Sequence, residues 1–379
     1  MSASDAPDAP LKQVPLDALH RSLGARMVPF AGYDMPVQYP AGIIAEHTHC
    51  RTAAALFDVS HMGQATLTGA DVAGALESLT PGSLKELKPG RQRYTLLMND
   101  EGGIRDDLMV CNLGHTADGL QKWFVVVNAG CKDADFAHMQ AAFGDRVTIE
   151  RHEDRALIAL QGPKAGAVLA HFAPASASMV FMDAGPLEIC GVPCFATRSG
   201  YSGEDGFEIS IPGDQAEHVV RQLLDHADVQ PAGLGARDSL RLEAGLPLYG
   251  SDIDTTTSPV EAALEFALGK RRKADGGFPG FGTVTDHLTN GTTRRRVGIL
   301  VEGRAPARAH TEIQSTDGQT IGEVTSGGFG PSVNGPIAMG YVASAYAEPG
   351  TALALIVRGK ALPARVVTLP FVEQRYYRG

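Results

Sequence analysis

The sequence predicts an α+β protein in several domains: two α/β units with mainly antiparallel sheets, followed by a small β-barrel. Three observations carry this expectation. The chain has 379 residues, too many for one ordinary core. Up to Tyr249, short apolar strands alternate with helical stretches. Beyond residue 293, short strands recur at regular spacing with no helix between them, the pattern of a small barrel.

The elements follow in order. Met1 to Pro10, rich in Ala, Asp, Ser and Pro, is expected as a disordered tail. Leu16 to Leu23 is expected as a short helix, followed by the turn-rich Phe30-Ala31-Gly32-Tyr33 and Met35-Pro36. Ile43 to Leu56 has the spacing of a second helix, with Ile44, His47, Ala54 and Ala55 as packing positions. Phe57 to Ser60 opens a strand that Gln64 to Thr68 continues with period-two alternation. Asp71 to Leu79 is helical. Tyr94 to Met98 is a strand, and Asn99-Asp100-Glu101-Gly102-Gly103 is a hairpin signal. Asp107 to Cys111 and Lys122 to Val127 are strands, and Lys132 to Phe143 is a helix.

A second α/β stretch starts at the buried strand Ala156 to Leu160, followed by Gly162-Pro163 and a helix to Leu169. Leu187 to Thr197 is a hairpin around Gly191-Val192-Pro193. Phe207 to Ile211 is a strand; Ala216 to His226 and Ala236 to Glu243 are helices. Residues 270–296 carry Lys270-Arg271-Arg272-Lys273 and Arg294-Arg295-Arg296 among Gly and Thr, which suggests a connection with solvated charges. The barrel strands are Val297 to Val301, Gly322 to Thr325, Ile337 to Tyr341, Ala352 to Val357 and Ala361 to Val367.

Composition narrows function. Hydrophobic residues are 44% and charged residues 20%, an ordinary globular balance. The net charge of −10 argues against a general nucleic-acid binder, which needs a dominant basic face. No apolar run approaches the roughly 20 residues of a membrane span, so no membrane partner is expected. The N-terminal stretch has neither the basic start of a secretory signal nor the arginines of a transit peptide. Five cysteines, an odd number without framework spacing, suit reduced thiols in a cytoplasm.

Asp107 is the most informative residue. It sits at the mouth of Leu108-Met109-Val110, a run apolar on consecutive positions and therefore buried on both faces. A carboxylate there is partly desolvated, with its pKa pushed up unless a cation or donor is near. That makes it a proton-handling candidate; the plainer reading is Asp-Asp turn chemistry after Gly-Gly. Glu208 lies on a strand whose Phe207, Ile209 and Ile211 alternate toward a core, so Glu208 and Ser210 point the other way. On a pocket wall such a carboxylate grips an amidine-like heterocycle edge; on an outer wall it is a solvated glutamate. Arg237 opens a helix after Gly233-Leu234-Gly235-Ala236, against the helix dipole. Asp238, Glu243 or an anionic ligand would offset that cost. Glu46-His47-Thr48-His49-Cys50 has metal-ligand residue types, but neighbours on a helix diverge and no second cluster completes a site, so no metal is expected. Ser60-His61 is no catalytic pair, because strand neighbours face opposite ways. Cys190 and Cys194 flank a tight turn as small core residues.

These segments in this order resemble the T-protein family of the glycine cleavage system, aminomethyltransferases that use tetrahydrofolate. The resemblance starts at Gly24-Ala25-Arg26-Met27-Val28-Pro29-Phe30-Ala31-Gly32-Tyr33-Asp34-Met35-Pro36. It runs through Asp58 to Gly63, Gly102 to Val110, Gln161-Gly162-Pro163-Lys164, Ser199 to Glu208, Gly233 to Asp238 and Thr325-Ser326-Gly327, and ends at Pro370-Phe371-Val372 with Tyr376-Tyr377. The resemblance implies a three-domain cloverleaf with folate in a central hole. Residues 11–60 and 150–255 would form a first, folate-binding domain. Residues 61–149 would form a second domain carrying Asp107, 256–292 a connection, and 293–379 the barrel.

The implied reaction moves a one-carbon unit from the aminomethyl-lipoyl arm of a carrier H-protein to tetrahydrofolate, giving 5,10-methylenetetrahydrofolate and ammonia. Asp107 matches the family's catalytic aspartate; it would orient the folate N5/N10 region and steady an iminium-like charge. Glu208, Arg237 and Tyr376 match its folate-contacting residues, and Met62, Tyr94 and Tyr201 fall in pocket-lining stretches. A monomer is expected. Phe278-Pro279-Gly280-Phe281 departs from the family's Phe-(Ile/Val)-Gly-Lys by lacking the lysine. Two other readings remain: a folate-dependent demethylase of the same superfold, and a folate-binding regulatory protein without turnover.

Overall fold

A computed structural model describes residues 10–379. All but the last residue of the expected tail, Met1 to Pro10, lies outside the described residues. The first sheet has six strands in the order Ala184–Ile189, Val192–Thr197, Gly206–Pro212, Arg155–Gln161, Ala54–Asp58 and Val229–Pro231. Its pairs are antiparallel except the last. The second sheet has five strands, all antiparallel, in the order Arg91–Met98, Ile104–His115, Gln121–Val127, Gly63–Gly69 and Val147–Arg151. Six C-terminal strands, Arg294–Val301, Glu312–Gln314, Thr320–Gly330, Gly335–Ala343, Ala352–Val357 and Lys360–Val367, close into a barrel.

Period-two alternation decides which face each sheet gives to its helices. In the first sheet, Ala156, Ile158, Leu160, Phe207, Ile209 and Ile211 bury against helices Ala165–Phe172 and Gly213–Leu224. In the second, Leu108, Val110, Val125 and Val127 bury against helices Val72–Glu77 and Lys132–Phe143. The opposite faces meet each other. Leu157 and Phe195 of the first sheet pack with Cys111, Phe124 and Val126 of the second. The polar residues at the margin of this packed seam are where a site can lie.

Several expectations need correction. The helix expected from Ile43 to Leu56 ends at Thr52, and Ala54–Asp58 is a fully buried strand. Ala-Ala-Ala-Leu-Phe has no periodicity that separates a buried helix from a buried strand. Sheet pairing decides it, with Ala54 donating its N–H to the Asp228 carbonyl at 3.1 Å. The strand expected to continue from Phe57 to Thr68 is two strands in different sheets, and Val59 to Met62 is the crossing between them. The barrel has a sixth strand, Glu312–Gln314, too short and polar to register.

The stretch expected as a solvated connection holds helices Lys270–Asp275 and Phe281–Asn290. Its arginines are employed. Arg271 binds Glu77 through both carboxylate oxygens, Arg272 is buried and donates to the Glu77 carbonyl, and Arg296 is buried against the Ala262 carbonyl. The missing lysine has a local account. Gly280 sits at φ +72°, so close to the hairpin that a Cβ would meet Gly102 Cα at 2.3 Å. Phe281 packs edge-on against buried Phe278.

One buried ionic network fixes the first sheet's helices. The Arg51 guanidinium donates to Glu204 at 2.7 Å, to Glu243 at 3.0 Å and to the Ser202 carbonyl at 2.7 Å. His47 joins Glu243 at 3.0 Å, and Arg375 of the C-terminal strap also reaches Glu204. Removing one member strands buried charges. Arg51→Met is expected to lower unfolding stability by ~3–5 kcal/mol in urea titration. Arg221→Ala, which breaks the half-exposed Arg221–Glu217 pair on helix Gly213–Leu224, should change it by less than ~0.5 kcal/mol. Equal losses would contradict the assignment.

Candidate functional site

The polar residues on the faces that the two sheets turn toward each other are the ones of chemical interest. Ile104–His115 is an inner strand of its sheet, so Asp107 lies on a strand paired on both sides rather than at a strand mouth. Asp107, Met109 and Cys111 share one face of it. Gly206–Pro212 is likewise interior to the first sheet and presents Glu208 and Ser210 toward the second. Arg237 projects from helix Leu234–Glu243, which is anchored by Ala236 and Leu240 on Phe57 and Ala159.

Asp107, Tyr94, Tyr201, Glu208 and Arg237 are all deep in the protein, and desolvation is the largest influence on each. Yet none is closed off; each keeps accessible surface. Contacts link them into one group: Tyr94 hydrogen-bonds Asp107, Arg237 lies over the Tyr201 ring and 4.0 Å from Glu208, and the Asp107 and Arg237 charges both act on Tyr201.

Asp107 accepts hydrogen bonds from the Tyr94 hydroxyl at 3.0 Å and the Asn128 amide at 2.6 Å. Among the described residues no cation comes within ion-pair distance of it. Burial and then the neighbouring Asp106 carboxyl push Asp107 up to about 7, against the pull of Tyr94 and Asn128. It is therefore a carboxyl that exchanges its proton near neutral pH. Tyr94 is driven far up by burial and by the Asp107 charge, so it acts as a fixed donor.

Glu208 is raised by burial, opposed by the Arg237 charge and by the Ser199 hydroxyl. The Arg237 guanidinium is 4.0 Å from Glu208, at the limit of an ion pair. It lies 5.0 Å from the Tyr201 ring centroid, over its face. Among the described residues Arg237 makes no side-chain hydrogen bond, although its side chain is only 15% exposed. A half-used carboxylate beside a guanidinium with open donors fits a ligand edge that offers both donors and acceptors. The Cys111 thiol feels the Glu208 charge. Four residues of strand separate Cys111 from Asp107, about 13 Å.

The other expected residues divide. Tyr94 and Tyr201 join the group, with the Tyr201 hydroxyl donating to the Pro247 carbonyl. Met62 packs at the edge of the apolar cluster between the sheets. It also lines a cavity of about 450 Å³ with Lys12, Tyr33, Lys132 and Arg151, beyond the Gln64–Ser210 hydrogen bond. Tyr376 is stacked on Phe181 at 4.2 Å, where burial pushes it up to about 12 and Arg378, Arg51 and Glu204 are its charged neighbours. None of those is a member of the Asp107 group.

The Glu46 to Cys50 segment does not converge. Glu46 accepts from the Tyr39 and Gly233 N–H groups, His47 serves Glu243, and His49 meets the Ala54 and Asp228 carbonyls. The sequence reading missed Asn128 and Asp106. A signal existed for Asn128, a polar residue directly after the apolar Trp123-Phe124-Val125-Val126-Val127. For Asp106 the turn-like Asp-Asp pairing concealed a fully buried side chain.

Comparison with known proteins identifies the family. Residues 16–272 match the GCVT N-terminal domain, and residues 294–373 match the glycine cleavage T-protein C-terminal barrel domain. The chain is 44% identical over 382 residues to the mitochondrial aminomethyltransferase of Flaveria trinervia, covering 98% of this chain and 92% of that one. It is 47% identical over 382 residues to the Gallus gallus mitochondrial aminomethyltransferase, covering 99% and 95%. The crystal structure of glycine cleavage system aminomethyltransferase T from Bartonella henselae is 43% identical and superimposes with a TM-score of 0.90, covering 97% of this chain and all of that one. The chain belongs to the glycine cleavage T-protein family.

Proposed function

We propose that this chain is the aminomethyltransferase of glycine cleavage, acting on a lipoylated carrier H-protein with tetrahydrofolate as co-substrate. The reading is supported by the buried group in which Tyr94 and Tyr201 link Asp107 to Arg237 and Glu208, within a fold whose relatives carry that name. Relatives named aminomethyltransferase over nearly the full length favour this over the demethylase and the regulatory readings.

The transfer replaces two bonds on one carbon. The methylene leaves nitrogen and sulfur, and forms bonds to N5 and N10 of the folate. The two folate N–H protons end on ammonia and on the freed lipoyl thiol, so the step balances. In this reading Glu208 grips the pterin N3–H and 2-amino edge, the donor-rich side of the ring. Arg237 meets an acceptor beside it, the ring carbonyl or a glutamyl carboxylate. Asp107, held by Tyr94 and Asn128, faces the N5/N10 region and steadies the positive charge that develops on the transferred carbon. Its proton exchange near neutrality lets it take up or release a proton as the folate nitrogens lose theirs. Holding both reactants in one enclosed space supplies the larger rate effect. Tyr376 belongs to the C-terminal strap, and Met62 to the wall of the cavity beside Lys132.

No described helix is long and apolar enough to cross a membrane. All five thiols are unpaired, which suits a reducing compartment. The expected cytoplasm and the mitochondrial location in the relatives' names both meet that condition.

Two expectations test the roles. Asp107→Asn should bind tetrahydrofolate normally while ammonia release from aminomethylated carrier falls by roughly 100-fold or more; turnover near wild type would remove Asp107 from the chemistry. The same variant reads the electrostatics. The folded carboxyl is raised from its ordinary value to about 7, so the native state holds that proton longer than the unfolded chain. The stability due to Asp107 therefore falls as pH rises from about 4 to about 7. Asp107→Asn should then be more stable than wild type at pH 8, by roughly 1–3 kcal/mol, with the gain vanishing toward pH 4. A gain independent of pH would contradict this. For recognition, Glu208→Gln should weaken tetrahydrofolate binding roughly 10- to 100-fold by calorimetry; unchanged affinity would place the pterin elsewhere.

A further inference from the structure

Behind the strand that presents Asp107 lies a second carboxyl cluster that the transfer itself does not touch. Asp106, next in sequence, faces the opposite side of the strand, toward helix Lys132–Phe143. Its side chain is fully buried, and Asp135 of that helix is 3% exposed. Oxygens of the two carboxyls and the Cys131 sulfur all lie within 4.8 Å of one another. Asn128 ties this cluster to Asp107. Its backbone N–H donates to one Asp106 oxygen at 3.0 Å, and its side-chain amide donates to the other at 2.8 Å. The same amide donates to the Asp107 carboxylate at 2.6 Å.

We propose that Asp106 and Asp135 share one proton, and that the single negative charge left on this pair sets the proton affinity of Asp107 from behind the sheet. Two carboxylates this close and this dry cannot both ionise, so one proton stays with the pair. Burial and the Asp135 charge favour the neutral form of Asp106, while the two Asn128 donors favour its charged form, so the one charge belongs to the pair. In either protonation state Asp106 offers Asn128 its two oxygens, so the amide stays aimed at Asp107. Asp106 and Asp135 are thus positioning residues, acting through Asn128 and through space. The inference rests on Asp107 being the reacting carboxyl.

The groups around the cluster are accounted for. Cys131 faces the pair from the helix start, with its thiol held protonated by burial and by both aspartates. The Arg105 charge acts on Asp135, and the Tyr249 phenol, held neutral, faces both carboxyls. On the other face, Tyr94, Tyr201 and Asn128 surround Asp107. None of the phenols or thiols carries a charge at neutral pH, which leaves the aspartate pair as the negative charge that opposes ionisation of Asp107.

The test is the pH profile of kcat/KM for ammonia release from aminomethylated carrier at saturating tetrahydrofolate. Asp106→Asn leaves one charge, on Asp135, and should move the acidic limb less than the double variant does. Asp106→Asn with Asp135→Asn removes the charge, and the limb should move down by about one pH unit. A double variant whose limb coincides with wild type, whatever its turnover, overturns the proposal, since a merely structural role lowers rates without moving the limb. If the double variant does not fold, wild-type protein labelled with 13C-aspartate decides. Its infrared spectrum at pH 8 should keep one isotope-shifted band of a protonated carboxyl, and absence of that band overturns the shared proton. Asp107→Asn is the control. A limb that survives in it overturns the assignment of Asp107 to the chemistry, while the infrared band still decides the pair.

Discussion

The site depends on one constraint: a carboxyl is held in the interior by hydrogen-bond donors and not by a cation. Tyr94 and Asn128 fix the direction of Asp107 without neutralising it. An arginine or lysine at that place would hold the aspartate ionised at every working pH and would compete for it with a cationic substrate. Donors alone leave it near the point of exchange, about 7. Such a group interacts most strongly with positive charge that appears only during transfer.

The remainder of the molecule keeps that carboxyl where it is. The two sheets turn their alternating apolar residues outward onto helices and turn their opposite faces inward to each other. Glu208 comes from one sheet and Asp107 from the other, so their separation is fixed by sheet packing rather than by a loop. The cations that hold the frame are spent elsewhere: Arg51 on Glu204 and Glu243, Arg241 on Asp252 beside Ser326 of the barrel, Arg271 on Glu77. Arg237, 4.0 Å from Glu208, makes no side-chain hydrogen bond among the described residues. That contrast separates a ligand-binding guanidinium from structural ones.

Much of this was legible in the sequence. Period-two alternation gave the direction of Glu208 relative to Phe207, Ile209 and Ile211, and the consecutive apolar run gave the desolvation of Asp107. Three things were not legible. Ala53 to Phe57 is apolar throughout, so only pairing with distant strands could end the helix at Thr52. Lys270 to Lys273 carries four charges in a row and reads as solvated, but Glu77, nearly two hundred residues earlier, reaches it only in the fold. Asp106 differs from Asp107 by one position, and which face of the strand is helix-covered depends on the helix that supplies Asp135. In each case the deciding contact is long-range, and local propensity carries no record of it.

The most direct test is a titration of the Asp107 carboxyl carbon by 13C NMR in folate-free protein, assigned with the Asp107→Asn variant. A midpoint near 7 is the predicted result. A midpoint in the ordinary carboxylate range, about 4, would mean that Asp107 is solvated or paired with a cation. That result would contradict the account of the buried group and of the chemistry assigned to it.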